Sequence, residues 1–246
     1  MKNVLKVGLT SLLLAPWGAS QAVQLNEDFS LYLTASALSD YRLFGVSQTK
    51  ENPAIQGQAT LFHSSGLYAG GWISNVDFED GDYGVPANEA GTEQRAYVGY
   101  LHTFNEDLKL NVGYIQYMYP GQSSANYSER YAVLDAYGAK WQSYYSTNVF
   151  EEEVFWYNSL GYTFALPQDI SLFVNYGNAD YKDPLFDNFS DDSYNDWEVK
   201  VSKTMLGIDW SLSYIDTNID DEDCAGFWGK DSYCSATAVL GVSKTF

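Results

Sequence analysis

From Phe29 to the last residue, apolar and polar positions alternate with a period of two, the pattern of strands that have one apolar and one wet face. The alternation predicts twelve strands. They are Phe29–Leu38, Ala54–His63, Leu67–Asp77, Glu93–Phe104, Leu108–Met118, Arg130–Tyr137, Ala139–Tyr145, Val154–Leu166, Ile170–Gly177, Asp196–Thr204, Gly207–Asp216 and Thr237–Phe246. Leu108, Leu110, Val112 and Tyr114 make one clean apolar side, and Ile208, Trp210, Leu212 and Tyr214 another. Opposite them stand Lys109, Asn111 and Gly113, and Asp209, Ser211 and Ser213, a face suited to a wet lumen. In Val154–Leu166 the facing stays open, because Asn158 shares a side with Trp156, Leu160 and Tyr162.

The connections alternate as strictly as the residues do. Short turns are expected at Ser64–Gly66, Asn105–Asp107, Gly138, Pro167–Asp169 and Met205–Leu206. Long loops are expected at Ser39–Pro53, Phe78–Thr92, Tyr119–Glu129, Ser146–Glu153, Asn178–Asn195 and Thr217–Ala236. The expected fold is therefore all-β, an antiparallel transmembrane β-barrel of about 12 strands with short periplasmic turns and long extracellular loops. A soluble sandwich has no reason to sort its loops between two ends in this way. The last ten residues, TAVLGVSKTF, read as the closing strand, with Phe246 as the terminal aromatic signal for outer-membrane assembly machinery. Lys244, on the apolar side, is close enough to the end to snorkel to the interface.

Residues 1–22 fit a signal peptide: Lys2 and Lys6, an apolar run from Val7 to Ala15, and the small-residue site Ser20-Gln21-Ala22. Cleavage there leaves residues 23–246 as a single exported barrel domain and takes the formal charge from -19 to -21. The expected location is the outer membrane of a Gram-negative bacterium. In that oxidising setting Cys224 and Cys234 are expected to form a disulfide.

Charge is distributed unevenly along this pattern. The six long loops hold 20 of the 32 acidic residues against Arg42, Lys50, Lys182 and Lys230, a net of -16. Glu151, Glu152, Glu153, Asp220, Asp221, Glu222 and Asp223 are the expected acidic mouth, and Arg95, Lys109, Asp135, Lys140, Glu198, Lys200 and Asp209 the expected pore lining. An acidic vestibule concentrates cations within roughly 8 Å at physiological salt, although acidic loops also serve simply to keep an outer surface solvated. Asp220–Asp223 lacks the spacing and central glycine of an EF-hand, so no metal site is assigned, and loose divalent bridging is the better reading.

Catalytic chemistry is missing from the pattern. His63 and His102 both fall at short-turn ends, away from the mouth, and no nucleophile is placed beside them. Phosphate loops, Cys/His clusters and basic nucleic-acid patches are absent. The chain is expected to be no enzyme, to carry no cofactor and to bind no nucleic acid.

Several motifs resemble a known family. They are Ser39-Asp40-Tyr41-Arg42-Leu43-Phe44-Gly45-Val46-Ser47-Gln48-Thr49 with Asn52-Pro53-Ala54-Ile55-Gln56-Gly57 after it, then Ser65-Gly66-Leu67-Tyr68-Ala69-Gly70-Gly71-Trp72-Ile73-Ser74-Asn75-Val76-Asp77-Phe78, then Tyr119-Pro120-Gly121 and Gly241-Val242-Ser243-Lys244-Thr245-Phe246. Together they resemble the TorF family of outer-membrane porins across nearly the whole mature chain. Members of that family commonly carry arginine where Phe44 stands, so an arginine role in the first loop does not transfer to this position. The resemblance implies a porin-like barrel. The functional expectation is an outer-membrane channel for passive diffusion of small hydrophilic solutes, cation-preferring, as monomer or homo-oligomer. The alternative is a non-conducting barrel whose acidic loops bind lipopolysaccharide through divalent ions, or a surface partner.

Overall fold

The structure is a computed structural model that describes residues 22–78, 90–149, 152–183 and 192–246. The predicted signal segment, up to its last residue, lies outside them, as do Glu151 of the expected mouth and most of the second long loop.

Twelve antiparallel strands close on themselves. They are β1 Phe29–Leu38, β2 Ala54–His63, β3 Leu67–Phe78, β4 Ala90–Thr103, β5 Leu108–Met118, β6 Tyr127–Ala136, β7 Ala139–Val149, β8 Glu153–Leu166, β9 Ile170–Tyr181, β10 Ser193–Met205, β11 Ile208–Thr217 and β12 Thr237–Thr245. Each pairs with its sequence neighbours. The seam between β12 and β1 has five registered pairs, Gly241↔Leu38 to Thr245↔Thr34, against twelve between β8 and β9. Phe246 extends the seam by donating its amide to Leu33 O at 2.8 Å. A short strand at Val23–Gln24 runs along β1.

Two of the tight turns fall one residue away from the expected positions. Tyr137-Gly138 and Leu206-Gly207 both have positive φ at each residue, the geometry that matches a two-residue hairpin to the strand twist. Several strands also run further toward the long-loop end than the alternation predicts. β6 begins at Tyr127, β9 continues to Tyr181 and β10 begins at Ser193. In these extensions the alternation continues but the polarity of the two faces inverts relative to the middle of the barrel. Tyr181 and Tyr194 are buried inside, while Asn178 and Asn195 hydrogen-bond to each other on the outside at 3.0 Å.

Leu61, Val98, Leu160, Val174, Leu212 and Leu240 are exposed on the outer wall and form an apolar belt. Trp156, Leu160, Tyr162 and Phe164 belong to it, which settles the facing of β8. Among the described residues no helix is long and apolar enough to cross a membrane.

The interior departs from a uniformly wet lumen. Tyr68, Tyr97, Tyr117, Tyr131, Tyr144 and Tyr157 are buried within it. Twelve strands enclose a bore that large side chains can fill, and tyrosine brings both an apolar ring and a hydroxyl able to find a partner there. The hydroxyl of Tyr68 meets that of Tyr131 and donates to Asn111 Oδ1 at 2.6 Å. Gly99 and Gly113 sit beneath these rings, where a Cβ has no room.

Candidate functional site

The first long loop, residues 39–53, folds into the mouth of the barrel. Its centre is a two-rung hairpin in which Arg42 pairs with Ser47 and Leu43 with Val46. Phe44 (φ 50) and Gly45 (φ 86) form the tip, again with two left-handed residues. A Cβ on Gly45 would stand 2.5 Å from Thr217 Cγ2 and 2.9 Å from Asp196 Cβ. Gly45→Ala is therefore expected to lift the tip off the wall and to cost about 1–3 kcal/mol, read as a lower urea midpoint.

The Phe44 ring packs against Tyr157, Phe155 and Tyr144, with centroids at 4.2, 5.3 and 6.1 Å. Behind the tip, Arg42 fastens the loop. Its Nε donates to Asp40 Oδ2 at 2.7 Å, and its Nη1 donates to the carbonyls of Gly45, Tyr233 and Ser235 at 3.1, 2.9 and 3.0 Å. Asp40 also accepts from Ser47 and Thr49, at 2.6 and 3.0 Å.

The last long loop supplies the other half of this clasp. It carries helix α1, Asp221–Trp228, which ends at left-handed Gly229. The Cys224–Cys234 disulfide ties that helix to the descending chain, with Cα atoms 6.0 Å apart. Thr217 Oγ1 donates to Cys234 O at 2.8 Å, and Lys230 pairs with Glu51 at 2.9 Å. Partial burial opposes ionisation of Glu51, but hydrogen bonds from Lys230 and Ser232 outweigh it and hold the carboxyl below its ordinary range. That link therefore persists until the pH falls through the lowered value.

The loop tip separates two spaces. The outer one, about 90 Å³, is an aromatic bowl lined by Phe44, Phe78, Tyr119, Phe155, Tyr194 and Trp228 among others. The inner one, about 150 Å³, lies under Leu43, Phe44 and Gly45 and reaches Arg95, Gln142, Tyr144, Tyr157, Asn175, Asp196 and Glu198.

The residues expected to line a pore all point inward, in differing circumstances. Asp135 lies between Lys109 on β5 and Lys140 on β7, in register with both, and its ion pair to Lys140 is 3.4 Å. Lys200 stands 3.8 Å from Glu198, which also accepts from Ser213 Oγ at 2.7 Å. Asp209 accepts from Thr204 near the short-turn end. Arg95 is more tightly held than a free pore wall implies. It is paired with Glu93 at 2.5 Å, lies over Trp72 and Tyr117 at 4.2 and 4.6 Å, and reaches the Tyr41 hydroxyl.

Glu93, Glu129 and Asp196 join this wall without having been expected there. Glu129 is fully buried and accepts from Tyr117 OH at 2.7 Å, and Asp196 accepts from Tyr157 OH at 3.3 Å. At the mouth, Asp220, Asp221, Glu222 and Glu152 are exposed and Asp223 is half-buried. Asp221–Asp223 form the first turn of α1, where carboxylates suit the helix dipole. Glu153 opens β8 and accepts the Asp183 amide at 3.0 Å. His63 and His102 contact Ser65 and Tyr100 at the short-turn end, far from either cavity.

The family described as "Bacterial protein of unknown function (Gcw_chp)" matches residues 25–246, nearly the whole described chain. The chain belongs to the Gcw_chp family. No curated protein matches the sequence. Among solved structures, this Gcw_chp barrel is similar to the KdgM porin, with a TM-score of 0.52 at 11% identity over 87% of this chain and 99% of that one. It is also similar to the NanC porin in its rhombohedral crystal form, with a TM-score of 0.50 at 8% identity over 87% of this chain and 98% of that one. At these identities the likeness of the Gcw_chp chain is one of fold.

Proposed function

We propose that the protein is an outer-membrane porin-like channel through which small hydrophilic solutes diffuse passively, with cations preferred. The observation that carries this reading is the inward face of the strands. Along it Glu93, Glu129, Asp135, Asp196, Glu198 and Asp209 outnumber Arg95, Lys109, Lys140 and Lys200, while the outer sides are apolar. Transport follows the gradient, without catalysis or cofactor. The resemblance to TorF porins and the fold shared with the KdgM and NanC porins support the porin-like channel, and the charge of the wall and mouth the preference for cations. Export through the cleaved segment 1–22 and assembly through Phe246 complete it.

The test is the reversal potential of the refolded mature barrel in a planar bilayer under a KCl gradient. Cation-selective steps are the expected result. Neutralising Glu152, Glu153 and Asp220–Asp223 together is expected to shift that potential toward zero, because the mouth acts within a Debye length of roughly 8 Å. An unmoved potential would assign selectivity to the wall instead.

A second reading rests on the packing of Phe44, which fills the bore between the two cavities. In that reading the barrel does not conduct, and its acidic loops hold divalent ions or a surface partner. Stable insertion with no current is its signature.

A further inference from the structure

The cavity under the loop tip has two acceptors that none of its own donors serves. Asp196, 5% exposed, and Asn175, 7% exposed, both line it, and each keeps one Oδ1 with no hydrogen-bond partner. Buried carbonyl and carboxylate oxygens are nearly always paired, so two orphaned acceptors on one cavity wall mark a place for a donor. The nearby cations are engaged elsewhere: Lys200 with Glu198, Arg95 with Glu93, and Arg42 with Asp40. Apart from Arg42, Arg95, Gln142 and Glu198, the rest of the wall is apolar or aromatic, with Ile115, Tyr144, Tyr157, Phe173 and Ile215.

We infer that this cavity is a binding station for a protonated amine, its ammonium donating to Asp196 Oδ1 and Asn175 Oδ1 and its short apolar stem lying against Tyr144, Tyr157 and Phe173. The chemistry discriminates among cations. A divalent metal ion seeks six or more oxygens, and among the described residues no cluster of three or more His, Cys, Asp or Glu is placed to hold one. An ammonium group needs only a few acceptors and gains from aromatic faces around it. A quaternary ammonium has the charge without N–H donors and cannot satisfy the two oxygens. The inference deepens the channel reading, on which it rests only for the route by which the amine arrives.

Binding and conduction are measured separately so that each can fail alone. Calorimetric titration of the refolded barrel with ethylammonium chloride is expected to give saturable binding, with tetramethylammonium and K⁺ at least about tenfold weaker. Asp196→Asn is expected to weaken ethylammonium binding by about tenfold or more, and Asn175→Asp, which adds a charged acceptor, to tighten it. Asn175→Asp keeps the test decisive if Asp196→Asn does not fold. Equal binding of ethylammonium and tetramethylammonium, or indifference to both substitutions, overturns the station even if the barrel conducts. Binding with the expected order in a barrel that passes no current leaves the station standing and removes the channel.

Discussion

Arg42→Ala is expected to lower the unfolding free energy by about 3–5 kcal/mol, the usual cost of leaving a buried charge without its partner. The side chains of Arg42 and Asp40 are 1% and 6% exposed, so solvent cannot replace what the substitution removes. Asp40 keeps its bonds from Ser47 and Thr49 but loses its ion pair, and the carbonyls of Tyr233 and Ser235 lose their donor. The first loop then keeps the looser link of Glu51 to Lys230 and Ser232 on the last one, and current through the barrel becomes noisier as the tip moves. Arg42→Lys is expected to recover only part of the loss, because a single ammonium cannot span carbonyls on two loops and the carboxylate together. Urea unfolding of the three proteins, followed by tyrosine fluorescence, reads the order directly. A midpoint for Arg42→Ala equal to that of the unsubstituted chain would show that the disulfide-tied loop holds its place without this clasp.

Phe44→Ala is expected to raise single-channel conductance several-fold. The ring stands between the aromatic bowl and the inner cavity and touches both, so its removal joins the two spaces. Losing its contacts with Tyr157, Phe155 and Tyr144 should cost about 3 kcal/mol of stability, the lower end of the range for a buried phenylalanine, since Phe44 is only half-buried. Unchanged conductance in a folded variant would place the narrowest point lower down, at the row formed by Lys109, Asp135 and Lys140.

Three strands were legible to the residue, and the others within the apolar belt to about one residue at the short-turn end. Phe29–Leu38, Ala54–His63 and Leu108–Met118 have the bounds that alternation assigns them. Toward the mouth the rule changes. Asn178, Asn195 and Asp180 face outward where the belt has ended, while Tyr181 and Tyr194 face inward against packed loops. Polar-outside and aromatic-inside is the inverse of the pattern lower in the same strands, so these segments read as loop. The first loop hid its role for a related reason. Its contacts to Tyr157, Thr217 and Tyr233 are all distant in sequence, although Phe44-Gly45 between Leu43 and Val46 does carry the local mark of a tight hairpin. Asp196 and Glu129 were missed because each lies at the edge of an expected strand or within an expected loop, where inward facing cannot be counted. Helix α1 left a readable trace, with Asp220 before an acidic first turn and Gly229 after its end, but eight residues are too few for a periodic signal.

The seam between β12 and β1 joins residues more than 200 positions apart through five registered pairs, and the clasp of Arg42 on Tyr233 and Ser235 ties the two loops that leave its upper end. Every other strand pair joins neighbours in sequence across a turn or one loop, so the largest loop-closure entropy falls on this one junction. The two ends of the molecule thus meet last on folding and part first on opening. Amide hydrogens of Leu33 to Ser39 and of Leu240 to Phe246 would exchange ahead of the rest of the wall, and a fault in the disulfide loop would be felt first as a slower final closure of the ring.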